Sequence, residues 1–431
     1  MAQFKHVDVI EVRIWGKRVG AVAADPARKA YVFEYDPKWA RRGIELAPLT
    51  MPVAGGNARI YTFPSLDEET FKGLPGMLAD ALPDKFGNQL IDAWMARKGY
   101  SPGQITVLDR LAYMNRRGMG ALEFRPARGG SNAASMAPIQ MAKLVEQARK
   151  AFQGALGDDD TASQALNQLI SVGTSAGGMR AKAVIGWNPA TDEMVAGQFD
   201  LPQGFEHWLL KFDGVGKDAV LGPSQQYGRI EYAYHLMATQ AGIQMQPCRL
   251  HEEGGRAHFM TKRFDRDGNA KVHVQSLCAL RHMSYNLVNT HAYESLFLAA
   301  RDLGLGDDDH RQLFARLAFN VAARNQDDHT KNFAFMMREG GPWELTPAYD
   351  VTFAQDPASR WLKAHQMSVN GKFEGIGRAD LVALAEQFSI PRPASVMDSV
   401  NQAVSQWADL AQSAGVSADE IARSGQLHQI L

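Results

Sequence analysis

Apolar and polar residues alternate over residues 7–35 around Trp15-Gly16-Lys17, a turn-forming triplet, which predicts short strands; helical spacing follows near 84–98. This first piece closes with Gly118-Met119-Gly120-Ala121-Leu122-Glu123-Phe124. Between Arg125 and Ala137 the chain turns to Pro, Gly, Ser, Asn and Ala, the composition of a flexible connection, so a first boundary is placed there. Apolar positions return at helical spacing over 138–152 and 161–170. A Gly- and Ser-rich turn at 173–178 then leads into strands at Ala181–Trp187 and Trp208–Phe212, a helix near 229–241, and strands around Arg249-Leu250 and His258–Thr261. That order describes a small sheet with one helix. Beyond Ser284, long apolar faces predict helices over 284–303 and 309–324, then a turn from Asn325 to Asn332, two short strands, and helices over 379–388 and 395–413.

At 431 residues, two or three domains are expected. The 46 Lys and Arg residues nearly balance 47 Asp and Glu, so bulk charge calls for neither nucleic acid nor a membrane as partner. Two cysteines, Cys248 and Cys278, exclude a disulfide framework and point to a reducing compartment. Met1–Arg13 lacks the apolar core of a secretory signal, and no stretch reaches the roughly 18 uncharged apolar residues of a membrane span, so a soluble cytoplasmic protein is expected.

The strongest chemical pattern is Asn325-Gln326-Asp327-Asp328-His329-Thr330-Lys331-Asn332. Asp327 and Asn332 stand five residues apart, the spacing of a protein-kinase catalytic loop, where the carboxylate orients or deprotonates a hydroxyl and the amide oxygen holds magnesium. A polar turn capping a helix is the competing reading. Asp350, in Thr346-Pro347-Ala348-Tyr349-Asp350-Val351, lies where a kinase places its second magnesium carboxylate. Upstream, Gly173-Thr174-Ser175-Ala176-Gly177-Gly178 precedes a strand, as a backbone-donor loop over phosphates does, though it matches neither a P-loop nor a dinucleotide fingerprint. Lys211 interrupts the apolar run Trp208 to Phe212 and needs solvent or an anion, and Glu231 on the next helix is its carboxylate partner by analogy with a kinase amino lobe. Loop, lysine, helix, base loop and metal carboxylate follow in kinase order.

These residues resemble the HipA-type serine/threonine kinase toxins of bacterial type II toxin–antitoxin modules, over nearly the whole chain. The resemblance rests on Tyr35-Asp36-Pro37, Leu82-Pro83-Asp84, residues 118–124, Ser175-Ala176-Gly177-Gly178 with Lys182-Ala183, Arg263-Phe264-Asp265-Arg266, residues 325–332 and Pro347-Ala348-Tyr349-Asp350. It implies an α+β, protein-kinase-like two-lobe fold with a mainly helical C-lobe, preceded by a small N-terminal α/β subdomain. The expected divisions are an N-terminal subdomain at 1–125, a linker at 126–137, an N-lobe at 138–262 and a C-lobe at 263–431. Asp327 is then the catalytic base, Asn332 and Asp350 the magnesium ligands, and Lys211 the phosphate-contacting lysine of an ATP site. The glycine loop, Ser175, Ala176, Gly177 and Gly178, covers the nucleotide, with Ser175 as autophosphorylation site. Lys262 and Phe264 fall at the adenine hinge, Lys262 standing where relatives usually carry Glu. The implied partners are a helix-turn-helix antitoxin like HipB, DNA only through that antitoxin, and a protein substrate such as glutamate–tRNA ligase. A small-molecule phosphotransferase and a nucleotide-regulated co-repressor are the alternatives.

Overall fold

The computed structural model describes residues 5–28, 30–53, 60–128, 139, 141–152, 169, 180–213 and 226–431. The 173–178 turn, and most of the expected linker and of the 161–170 helix, lie outside the described residues. The chain divides into two compact units: Met1–Gln225 with His251–Val274 and Arg338–Gly340, and Gln226–Leu250 with Gln275–Met337 and Gly341–Leu431.

In the first unit, strands β1 (Val9–Ile14), β2 (Lys17–Asp25), β3 (Ala30–Tyr35), β4 (Ile60–Tyr61) and β5 (Leu122–Arg125) form an antiparallel sheet in the order β4-β3-β2-β1-β5. Alternation places Ile10, Val12, Ile14, Val22 and Phe33 in its core, and Val19, at a register shift between β1 and β2, is buried as well. Gly20 is required on β2, because a Cβ there would overlap the Glu34 carbonyl oxygen of β3. Helix α1 (Lys85–Ala96) starts where the Asp84 carboxylate accepts from the Gly87 N–H at 2.7 Å, and it buries Phe86, Leu90, Ile91 and Met95. Helices α2 (Val107–Met114) and α3 (Met141–Phe152) follow.

A second five-stranded sheet has the order β7-β6-β8-β10-β9, from β6 (Lys182–Trp187), β7 (Met194–Ala196), β8 (Glu206–Lys211), β9 (Cys248–Glu253) and β10 (Arg256–Lys262). Its register sets Lys182 opposite Lys211, and Lys211 opposite Phe259. Directly opposed residues of an antiparallel pair share a face. The residues after β10 are bound to the 118–120 segment by a buried ion cluster. Asp265 accepts from Arg263 Nε at 2.8 Å and Nη2 at 2.6 Å, from Arg266 Nη1 at 2.8 Å and from the Gly120 N–H at 2.8 Å. Arg266 also donates to the Gly120 and Gly118 carbonyls at 3.2 and 3.4 Å. Burial alone would raise the Asp265 carboxyl, but Arg263 and Arg266 hold it well below the ordinary carboxylate range.

The second unit is mainly helical: α4 (Tyr227–Gln240), α5 (Tyr293–Asp302), α6 (Asp307–Ala322), α7 (Arg378–Gln387), α8 (Pro393–Ser405), α9 (Trp407–Ser413) and α10 (Ala418–Gly425). A hairpin, β11 (Ala334–Met337) and β12 (Trp343–Leu345), follows α6. Three aspartates, Asp307 to Asp309, open α6 where the helix dipole favours negative charge, and its second half is buried. Tyr234 packs edge-on against Phe319 and Trp407, with ring centroids 6.0 and 5.2 Å away.

Two helix expectations need correction. The stretch 284–303 is helical only from Tyr293, and a short helix lies earlier at Leu277–Arg281. Between them His282 and Asn289 are left-handed and the Thr290 hydroxyl donates to the Val288 carbonyl, so local side-chain bonding outcompetes helix. The stretch 395–413 breaks at Gln406, which turns the chain so that Trp407 reaches Tyr234.

Candidate functional site

Helix α6 ends in a left-handed turn. The Ala323 N–H reaches the Phe319 carbonyl at 2.8 Å, Arg324 takes φ 57°, and the Asn325 N–H returns to the Asn320 carbonyl at 3.0 Å. This is the geometry that usually carries glycine at the Arg324 position. The loop that follows is anchored residue by residue. Asn325 Nδ2 donates to Asn320 Oδ1 at 2.9 Å, and the Gln326 N–H to the Ala354 carbonyl at 2.9 Å. The Thr330 hydroxyl donates to the Met283 carbonyl at 2.8 Å.

Asp328 is the deepest anchor. Its carboxylate, fully buried, accepts from the Tyr293 hydroxyl, His365 Nδ1 and the Gln366 N–H, each at 2.7 Å. Burial, and then the Asp328 charge, push the Tyr293 hydroxyl well above its ordinary value, so it stays a donor. With its neighbour fixed inside, Asp327 is left with 47% of its side chain exposed and His329 Nε2 is 3.9 Å from its Oδ1. A half-exposed carboxylate beside a fixed loop is free to meet a hydroxyl, which a buried one is not.

Asn332 Nδ2 donates to the Asp327 carbonyl at 2.6 Å, and its backbone N–H to the His329 carbonyl at 2.9 Å. Committing the amide nitrogen inward fixes the side-chain orientation and leaves Oδ1 as the group a cation would take. The Tyr349 hydroxyl donates to the Lys331 carbonyl at 2.7 Å, laying the residue before Asp350 on the residue before Asn332. Asp350 itself is left-handed, φ 51°. Its approach strand is held by the Ala348 N–H on the Gln244 carbonyl at 2.8 Å and by Arg316 Nη2 on the Thr346 carbonyl at 2.6 Å. Asp327, Asn332 and the Asp350 segment thus share one neighbourhood of the second unit. Among the described residues no group of three or more His, Cys, Asp or Glu side chains is arranged to hold a metal ion. One carboxylate and one amide oxygen, Asp350 and Asn332, are hard donors suited to magnesium.

Of the other sequence-derived positions, Lys211, Lys262 and Phe264 lie in the first unit. Lys211 is 8% exposed, with its Nζ 5.7 Å from the Phe259 ring centroid. Opposite it, Lys182 Nζ lies 3.6 Å from Asp84 Oδ2, both side chains 3% exposed. Lys262 Nζ meets Glu206 Oε1 at 2.7 Å, so this cation is already paired within the sheet. Phe264, half-buried, follows Arg263, whose N–H donates to the His207 carbonyl at 2.9 Å. Glu231 is buried on α4 in the second unit. Ser175, Ala176, Gly177 and Gly178 lie outside the described residues.

Two family models match the chain. Residues 174–408 match the model of the HipA-like C-terminal domain, and residues 10–125 that of the HipA N-terminal domain. The chain belongs to the HipA family. A solved HipA from Shewanella oneidensis MR-1, in complex with HipB and operator DNA, superposes with a TM-score of 0.64 at 14% identity. The match covers 97% of this HipA-family chain and 95% of that one. At that identity it speaks for the fold, which is the α+β, kinase-like class expected from the sequence. The proinflammatory kinase CtkA of Helicobacter pylori also matches, at 11% identity and TM-score 0.35, over 58% of this chain and 92% of that one. No curated protein matches in a sequence search. Among the described residues no helix is long and apolar enough to cross a membrane.

Sequence reasoning named Asp328, Tyr349, Asp84 and Lys182 within its motifs but not their contacts, and it gave no role to Arg324. Asp328 carries no local signal distinguishing it from Asp327, because only the tertiary contacts of Tyr293 and His365 separate the buried carboxylate from the half-exposed one. Lys182 was visible as a lysine opening an apolar strand, the same signal that marked Lys211.

Proposed function

We propose that this HipA-family chain is an ATP- and magnesium-dependent serine/threonine protein kinase and the toxin of a HipA–HipB type module. The observation that carries the reading is the loop in which a buried Asp328 fixes the backbone, Asp327 stands half-exposed, and the Asn332 amide is clasped to the Asp327 carbonyl. In this reading Asp327 accepts or orients the proton of an acceptor serine hydroxyl, while Asn332 and Asp350 hold the cation side of the site. Magnesium, when bound, neutralises charge on the transferring phosphoryl group. Lys211 supplies a positive charge for nucleotide phosphate, and the segment Lys262–Phe264 holds the base. Ser175 is the self-acceptor, and glutamate–tRNA ligase is the first external acceptor to assay. The complex of the Shewanella HipA with HipB and operator DNA supports a HipB-like protein as partner, and in this reading that partner makes the DNA contact.

Incubation of purified protein with labelled ATP and magnesium should label the chain at Ser175. Asp327→Asn should reduce labelling by about 10³-fold, within the range for loss of a general base. Undiminished labelling in that variant would refute the role of Asp327.

A further inference from the structure

Residues 427–431 contact Ala322 and Arg324 at the root of the base loop directly, and Ala323 through Tyr234. The Gln429 N–H donates to the Ala322 carbonyl at 2.8 Å, and Arg324 Nε donates to the Leu427 carbonyl at 2.7 Å. Between them the Tyr234 hydroxyl donates to the Ala323 carbonyl at 2.5 Å, with His428 Nε2 3.0 Å from the same hydroxyl. Because the tyrosine has one proton and gives it to Ala323, the His428 ring nitrogen is the donor in that second contact. The last carbonyls of a helix have no donor within it. Here the 427–431 segment and Tyr234 supply them.

The far end of the segment is itself fixed. Asn401 on α8 brackets Leu431, accepting from its N–H at 2.8 Å and donating to its carbonyl at 2.8 Å, while Gln429 Nε2 donates to the Ile376 carbonyl at 2.9 Å. The segment therefore joins α8 to the exit of α6.

Arg324 is the informative residue. It occupies a left-handed position where glycine costs least, so its backbone conformation gives no reason for a side chain to be there. Its guanidinium, on the Leu427 carbonyl, gives one. Asp327 lies three residues further on.

We infer that residues 427–431 form a strap that positions the base loop, and that Arg324 is the positioning residue through which the strap sets the placement of Asp327. This rests on the kinase reading of Asp327. Small displacements of a reacting group cost rate far more than they cost stability.

Arg324→Gly separates the two roles, because it relieves the left-handed backbone while cutting the tie to Leu427. The variant should melt at or above the wild-type temperature, yet show kcat for magnesium-ATP-dependent phosphorylation lowered about tenfold, with KM for ATP within about twofold. Arg324→Lys, which keeps a donor, should recover most of kcat. Hydrogen exchange gives a readout that needs no turnover: amides at 325–328 should exchange at least about fivefold faster in Arg324→Gly, those of α4 unchanged. Wild-type kcat and wild-type exchange in Arg324→Gly would overturn the strap. So would a marked loss of thermal stability, which would make the contact one of folding. A wild-type protein that transfers no phosphate would instead sink the kinase reading, and the exchange comparison would still decide whether the strap holds the loop.

Discussion

Adjacent carboxylates in this protein have opposite duties. Asp328 satisfies three donors out of contact with water, so replacing it with Ala should destabilise the fold by about 3–5 kcal/mol, measurable by urea unfolding. Asp327, exposed over nearly half its side chain, should tolerate Asn with unfolding free energy changed by less than about 0.5 kcal/mol while activity is lost. Asp327 and Asn332 could be picked out from the sequence as candidates because kinase chemistry calls for those residue types at that interval. The assignment of one aspartate outward and the next inward could not be read there, since it depends on Tyr293 and His365, which stand 35 and 37 positions from Asp328 in the chain.

At the level of strands and helices, most of the pattern could be read from periodicity. Strand β1 alternates as a half-buried strand must, β6 is a run buried on both faces, and α4 and α6 show helical apolar faces. The failures came where polar side chains bond their own backbone, at residues 282–290, and where a single aromatic, Trp407, redirects a helix. Register also escaped the sequence: nothing local reveals that Lys182 and Lys211 face one another across neighbouring strands. Facing ammoniums repel, and Asp84 offsets one of them. Lys182→Met would leave the Asp84 carboxylate buried without that cation, and thermal unfolding should show a loss of about 3–5 kcal/mol. Lys211→Met should instead weaken ATP binding more than about tenfold in a nucleotide titration, because the lost charge is the one assigned to phosphate.

Taken as a whole, the molecule buries several histidines in neutral form. Burial lowers His207, His258, His273, His282 and His428 from the ordinary 6.5 to about 4. Between those values the unfolded chain binds protons that the folded chain refuses, so stability is complete above pH 6.5 and falls as the pH drops toward about 4. Asp265, depressed by its arginines against the effect of burial, adds a further loss at pH below the usual carboxylate range. Melting temperature should therefore fall steeply from pH 7 to pH 5 and recover on return. A flat profile over that interval would contradict the neutral state of these rings.

The arginine cluster around Asp265 carries a genetic corollary. Backbone groups of Gly118 and Gly120 are gripped by side chains from residues 263–266, so covalent continuity at the junction after Arg128 is not what keeps those segments together. Two open reading frames, one coding for 1–128 and the other for 129–431, should yield polypeptides that co-elute as a heterodimer. The same pair carrying Asp265→Asn should associate more weakly, dissociating at a higher protein concentration on a sizing column.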